Sequence, residues 1–99
     1  MHKSTLTTLR ALSLTDSKSL SQKALKAAEE VGELAKVVLP FEGAFATTHR
    51  FVDKHRILEE VVDVILCVRS IAYQLGMDDS EIEDMVIHKM RKWAELQAR

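Results

Sequence analysis

One nine-residue pattern occurs twice in this chain, thirty positions apart, and it restricts the folds open to it. Lys26-Ala27-Ala28-Glu29-Glu30-Val31-Gly32-Glu33-Leu34 reads basic, two residues, Glu-Glu-Val, one residue, acid, aliphatic; Arg56-Ile57-Leu58-Glu59-Glu60-Val61-Val62-Asp63-Val64 reads the same way. Both copies lie in stretches of helical periodicity, so each helix carries carboxylates at i and i+3: Glu30 with Glu33, and Glu60 with Asp63. Residues three apart share a helix face, with β-carbons roughly 5–6 Å apart. Two such helices packed side by side would gather four carboxylates. Like charges raise one another's pKa and desolvation adds to the cost, so such a group needs neutralising. Hard divalent cations with a preference for oxygen ligands would do so.

The rest of the chain is consistent with an all-α, bundle-like subunit of four helices forming one domain over residues 1–99. Only three Gly and one Pro interrupt it, and apolar residues make up 46% of the composition. The first helix is expected from about Thr5 to Ser13, presenting Leu6, Leu9 and Leu12, followed by a turn over Asp16–Ser19. Ser19 and Gln22 form a capping box for the second helix, which Pro40 closes. Residues 40–53 make a long loop carrying Phe41, Phe45, Thr47, Thr48, His49, Arg50 and Phe51, of a length often functional. Asp53 caps a third helix that runs to Gly76, and Ser80 with Glu83 forms a capping box for the fourth. Wheel arithmetic at about 100° per residue puts Leu20, Ala24, Ala27, Val31, Leu34, Ala35 and Val38 on one stripe of the second helix. Ile57, Val61, Val64, Ile65, Val68, Ala72 and Leu75 form the stripe of the third, with Val62, Leu66 and Cys67 outside it. A helix this apolar needs cover on several sides, more than a 99-residue chain provides, so oligomerisation is expected to complete the subunit.

The fourth helix has a stripe of Ile82, Met85, Val86, Trp93 and Leu96 with Lys89 near its middle, where a lysine must snorkel or find an anionic partner. Among metals, ferritin-like iron needs Glu-x-x-His pairs, and no His follows any Glu at that spacing. Structural zinc prefers Cys or His. All-oxygen ligation points to Mg²⁺, with Mn²⁺ as a substitute, and Mg²⁺ commonly joins carboxylates to substrate phosphates. The same acids admit a plainer reading: Lys26 can pair with Glu29 or Glu30, Lys36 with Glu33, and Arg56 with Glu59 or Glu60. Such pairs are worth a few tenths of a kcal/mol each and need no function.

No P-loop, Gly-x-Ser-x-Gly elbow or Cys-His pair is present. His2, His49, His55 and His88 read as surface or loop residues. Gly32 inside a helix costs about 1 kcal/mol relative to Ala, which either close helix approach or simple tolerance accounts for. A net charge of −1 gives no electrostatic case for nucleic acid. The lone Cys67, the lack of a signal-peptide h-region and the shortness of the apolar runs suggest a soluble, cytoplasmic protein outside the membrane, with Cys67 a small core hydrophobe.

Glu29-Glu30-Val31-Gly32-Glu33, followed after twenty-six residues by Glu60-Val61-Val62-Asp63, resembles the split signature of the MazG-type all-α nucleoside triphosphate pyrophosphohydrolases. The similarity covers roughly residues 20–95. It implies a dimer or dimer of dimers (a homodimer or homotetramer) that hydrolyses a nucleoside triphosphate to monophosphate and pyrophosphate with Mg²⁺, often to clear unwanted nucleotides. Carried over by position, Glu30, Glu33, Glu60 and Asp63 resemble the metal ligands. Glu29 would hold a second metal or orient the attacking water, and Lys89 resembles the family's phosphate-binding lysine. Lys89-Met90-Arg91-Lys92-Trp93 departs from the family in lacking an Asn after the lysine. In such a mechanism Glu29 or Glu33 is the base, Lys89 with Lys92 or Arg91 steadies the leaving pyrophosphate, and Trp93 or a loop Phe stacks on the base. Two rivals stay open: a non-enzymatic oligomeric interaction or regulatory module, and a metal-dependent hydrolase of another phosphate ester.

Overall fold

Local capping chemistry sets where three of the four helices begin. Ser19 Oγ accepts from Gln22 N at 3.2 Å while Gln22 Oε1 accepts from Ser19 N at 2.8 Å, so the expected capping box is present. Asp53 Oδ1 accepts from Arg56 N at 2.9 Å. In the computed structural model, which describes residues 1–43 and 52–99, the helices are α1 (Lys3–Thr15), α2 (Leu20–Phe41), α3 (Lys54–Gln74) and α4 (Asp79–Gln97). The described residues are all-helical apart from turns, as the composition suggests. Pro40 does not close α2 on the spot: the helix runs to Phe41, because a proline in the last turn forfeits only its own N–H bond. Phe45, Thr47, Thr48, His49, Arg50 and Phe51 of the expected loop lie outside the described residues.

The capping box of α4 is placed two residues earlier than Ser80–Glu83. Asp78 Oδ1 accepts from Glu81 N at 2.8 Å, and Glu81 Oε1 accepts from Asp78 N at 3.2 Å. The overlapping Asp78-x-x-Glu81 pair wins because Met77 and Ile82 flank it in the N′ and N4 positions of a hydrophobic staple. Just before it, Gly76 at φ +81° ends α3. Gly76 N donates to Tyr73 O at 2.9 Å and Met77 N to Ala72 O at 3.1 Å, a Schellman motif that needs the left-handed conformation glycine tolerates.

α2 and α3 form the main contact and run antiparallel. Glu30 of α2 meets Glu60 and Asp63, whereas Lys23 and Lys26, earlier in α2, share a cavity with Leu66, Cys67 and Ser70, later in α3. α1 packs on α3, and Lys23, buried, donates from Nζ to Ser13 O at 3.0 Å. That bond gives a cation to one of the carbonyls the end of α1 leaves free. Leu9, Ala27, Val37 and Tyr73 are the buried hydrophobic side chains. The buried face of α2 is therefore turned from the expected stripe: Ala27 is inside, but Leu20, Ala24, Val31 and Ala35 are exposed. On α3, Ile65, Val68 and Leu75 of the stripe are exposed as well. Three packed helices cover one side of each stripe and leave the other open.

α4 lies along none of the other three helices, and none of its residues is buried. Its first residue is tied to α3: Tyr73 Oη donates to Asp79 Oδ1, Arg69 Nη2 reaches the same oxygen at 3.1 Å, and Arg69 Nε donates to Tyr73 Oη at 3.2 Å. Arg10 and Arg69 each stand 5.8 Å from the Tyr73 ring centroid, within cation–π range. With α4 standing away, the radius of gyration is 16.2 Å, against about 13 Å for a compact domain of 100 residues. No described helix is long and apolar enough to cross a membrane.

Candidate metal centre

The antiparallel α2–α3 pair brings three carboxylates from both copies of the repeated pattern together. Glu30, Glu60 and Asp63 each offer an oxygen, and these oxygens lie within 4.8 Å of one another. Glu60 is only 4% exposed. Arg56 Nη1 donates to Glu60 Oε1 from one turn earlier, but Oε2 is buried with no hydrogen-bond partner. Leaving a buried polar atom unpaired costs about 1–3 kcal/mol, more for a charged group. Glu30 is half-buried and pairs with Lys26 Nζ at 3.0 Å. Asp63 is exposed and makes no ion pair among the described residues. Hydrogen bonds from Lys26 to Glu30 and Glu29 raise the lysine's pKa, a sign of the negative field there.

The donor set is oxygen only, from three carboxylates, which suits Mg²⁺ or Mn²⁺ with further positions left for water or phosphate. The orphaned Glu60 oxygen is the atom such an ion would satisfy. Glu33, the fourth expected ligand, is not in the cluster: one turn further along α2, it pairs with Lys36 at 3.2 Å. Glu29 is exposed and pairs with Lys26 at 3.4 Å. Lys89, Arg91, Lys92 and Trp93 stand on α4, away from α2 and from the part of α3 that bears Glu60 and Asp63.

Sequence reasoning missed the cavity beside the carboxylates. About 280 Å³ in volume, it has apolar walls from Leu9, Leu12, Leu66 and Cys67, with Lys18, Lys23 and Lys26 around it. Lys26 belongs both to this cavity and to the Glu30 ion pair. The signal was present as lysines at i, i+3 spacing on α2, but they read as solvated. Cys67 is half-buried, and burial raises its thiol pKa, as expected of an inert side chain. His2, His55 and His88 are exposed, with His55 Nε2 3.2 Å from Glu59.

Compared with protein-family models, curated proteins and solved structures, the chain gives no significant match.

Proposed function

We propose that this protein is a Mg²⁺-dependent nucleoside triphosphate pyrophosphohydrolase, active as a homodimer or homotetramer. The observation that carries the reading is the buried, unpartnered Oε2 of Glu60 in a cluster with Glu30 and Asp63. A divalent ion bound there would neutralise triphosphate oxygens and lower the pKa of a water. Glu29 or Glu33, one on each side of Glu30 along α2, takes that water's proton as its oxygen bonds to the α-phosphorus. The bond from the α-phosphorus to its bridging oxygen breaks, and pyrophosphate leaves with the electron pair. Lys26 takes the phosphate-binding role in preference to Lys89, Arg91 and Lys92, because it is already beside Glu30 and the cavity. The apolar cavity wall replaces Trp93 as the surface for the base.

The rival reading, a helical interaction module, draws on the ion pairs of Lys26 and Arg56 with Glu30 and Glu60. A nucleotide panel with Mg²⁺, scored for monophosphate and pyrophosphate, separates the two. The expected outcome is pyrophosphate release that Glu30→Gln, Glu60→Gln and Asp63→Asn each abolish while far-UV circular dichroism stays native. Release of inorganic phosphate would favour the other phosphohydrolase. Absence of turnover with every nucleotide would leave the interaction module.

A further inference from the structure

The apolar face of α4 meets nothing of its own chain, and the charges along it show what covers it. Two ridges at i+4 spacing run the length of that face. Met77, Glu81, Met85, Lys89 and Trp93 make one; Ile82, Val86 and Met90 make the other. Between them lies an open groove of about 640 Å³, the shape that accepts a ridge of another helix. Trp93, at 65% exposure, and Met85, at 56%, are hydrophobes left uncovered on this face.

Charge divides α4 into halves. Asp78, Asp79, Glu81, Glu83 and Asp84 occupy the beginning, and His88, Lys89, Arg91 and Lys92 the later part. A second α4 laid parallel would oppose like charges. Laid antiparallel about a two-fold axis at Met85, it opposes Glu81 to Lys89 of the second copy and Asp78 to Lys92. Met77 meets Trp93 and Met85 meets itself. Both members of the central pair are available: Lys89 makes no ion pair among the described residues, and Glu81 engages only the backbone N–H of Asp78. A peptide of one charge sign would satisfy only half of the ridge, whereas this chain satisfies both halves at once, as an isologous interface requires.

We infer that two copies of this chain associate through α4, antiparallel, with the two-fold axis at Met85 and reciprocal Glu81–Lys89 pairs. The inference rests on the oligomeric part of the function proposed above and is independent of its chemistry. Lys89 thereby gains the anion that its place in an apolar stripe demands.

Single cysteines in a Cys67→Ser background test the geometry. Helix axes 8–10 Å apart bring the α-carbons on the two-fold axis to about 4–5 Å, within disulfide reach. Met85→Cys is therefore expected to yield a disulfide-linked dimer on mild oxidation. Trp93→Cys is expected not to, since its two copies would stand about 24 Å apart along the helices. In sedimentation, Lys89→Glu is expected to weaken association about tenfold or more, and Glu81→Lys added to it to restore association. Far-UV circular dichroism identifies any variant that fails to fold. Cross-linking at both positions would mean parallel helices and overturn the inference. An oligomer indifferent to Lys89→Glu, without a cross-link at 85, would overturn it while leaving the oligomeric reading intact. A monomer at all concentrations would overturn both.

Discussion

Glu60 has one carboxylate oxygen held by Arg56 and the other held by nothing, beside two further acids. Without a cation, replacing this group by an amide removes a charge from a crowded site, so metal-free Glu60→Gln is expected to melt no lower than the native protein. With Mg²⁺ the order reverses. An ion bound only by the folded chain adds about 2.7 kcal/mol at one hundred times its dissociation constant, and the variant loses most of that gain. Thermal melts of both proteins in chelator and in Mg²⁺ measure it, and an undiminished Mg²⁺ shift in Glu60→Gln would remove this residue from the site. The i, i+3 pattern made Glu30, Glu60 and Asp63 legible in the sequence, because a helix face follows from spacing alone. Glu33 was misread for a tertiary reason: it has the spacing but sits a turn beyond the point where α3 supplies its acids, and Lys36 satisfies it.

Helix boundaries were legible because caps are local chemistry. Ser19, Asp53 and Gly76 act as their side chains and backbone freedom require. Ser80 was misassigned because Asp78-x-x-Glu81 and Ser80-x-x-Glu83 satisfy the same rule two residues apart. The rotation of α2 could not be read from apolar spacing, since burying Lys23 depends on a carbonyl of α1 that no local pattern reveals. Gly32 tests the same element. It sits mid-helix and exposed, and a β-carbon there would meet nothing within 4 Å. Gly32→Ala is therefore expected to stabilise the protein by about 1 kcal/mol, read from the denaturant midpoint at unchanged slope. A loss of stability would show another copy's backbone against this face.

At the scale of the whole molecule, the orientation of α4 depends on a small polar junction, and pH tests it. The hydrogen bond from Tyr73, aided by Arg69, holds the Asp79 carboxyl below its ordinary value of 3.8. Burial pushes the Tyr73 hydroxyl above its ordinary range, so it stays a donor at neutral pH. A group whose folded pKa is depressed contributes stability above its unfolded value and loses it as pH falls through the folded one. Asp79→Asn is thus expected to be less stable than the native protein near neutral pH, with the difference shrinking once pH drops below about 3.8 and closing as the native carboxyl protonates. Other carboxylates titrate in the same window, but they do so in both proteins, and the difference between the two denaturation curves isolates this one. The junction was invisible in the sequence because Arg10, Arg69, Tyr73 and Asp79 converge from three helices without a shared spacing. A stability gap that stays constant down to the lowest pH at which both proteins fold would mean that the ion pair with Arg69 contributes nothing. The hold of α3 on α4 would then reside in the Gly76 turn.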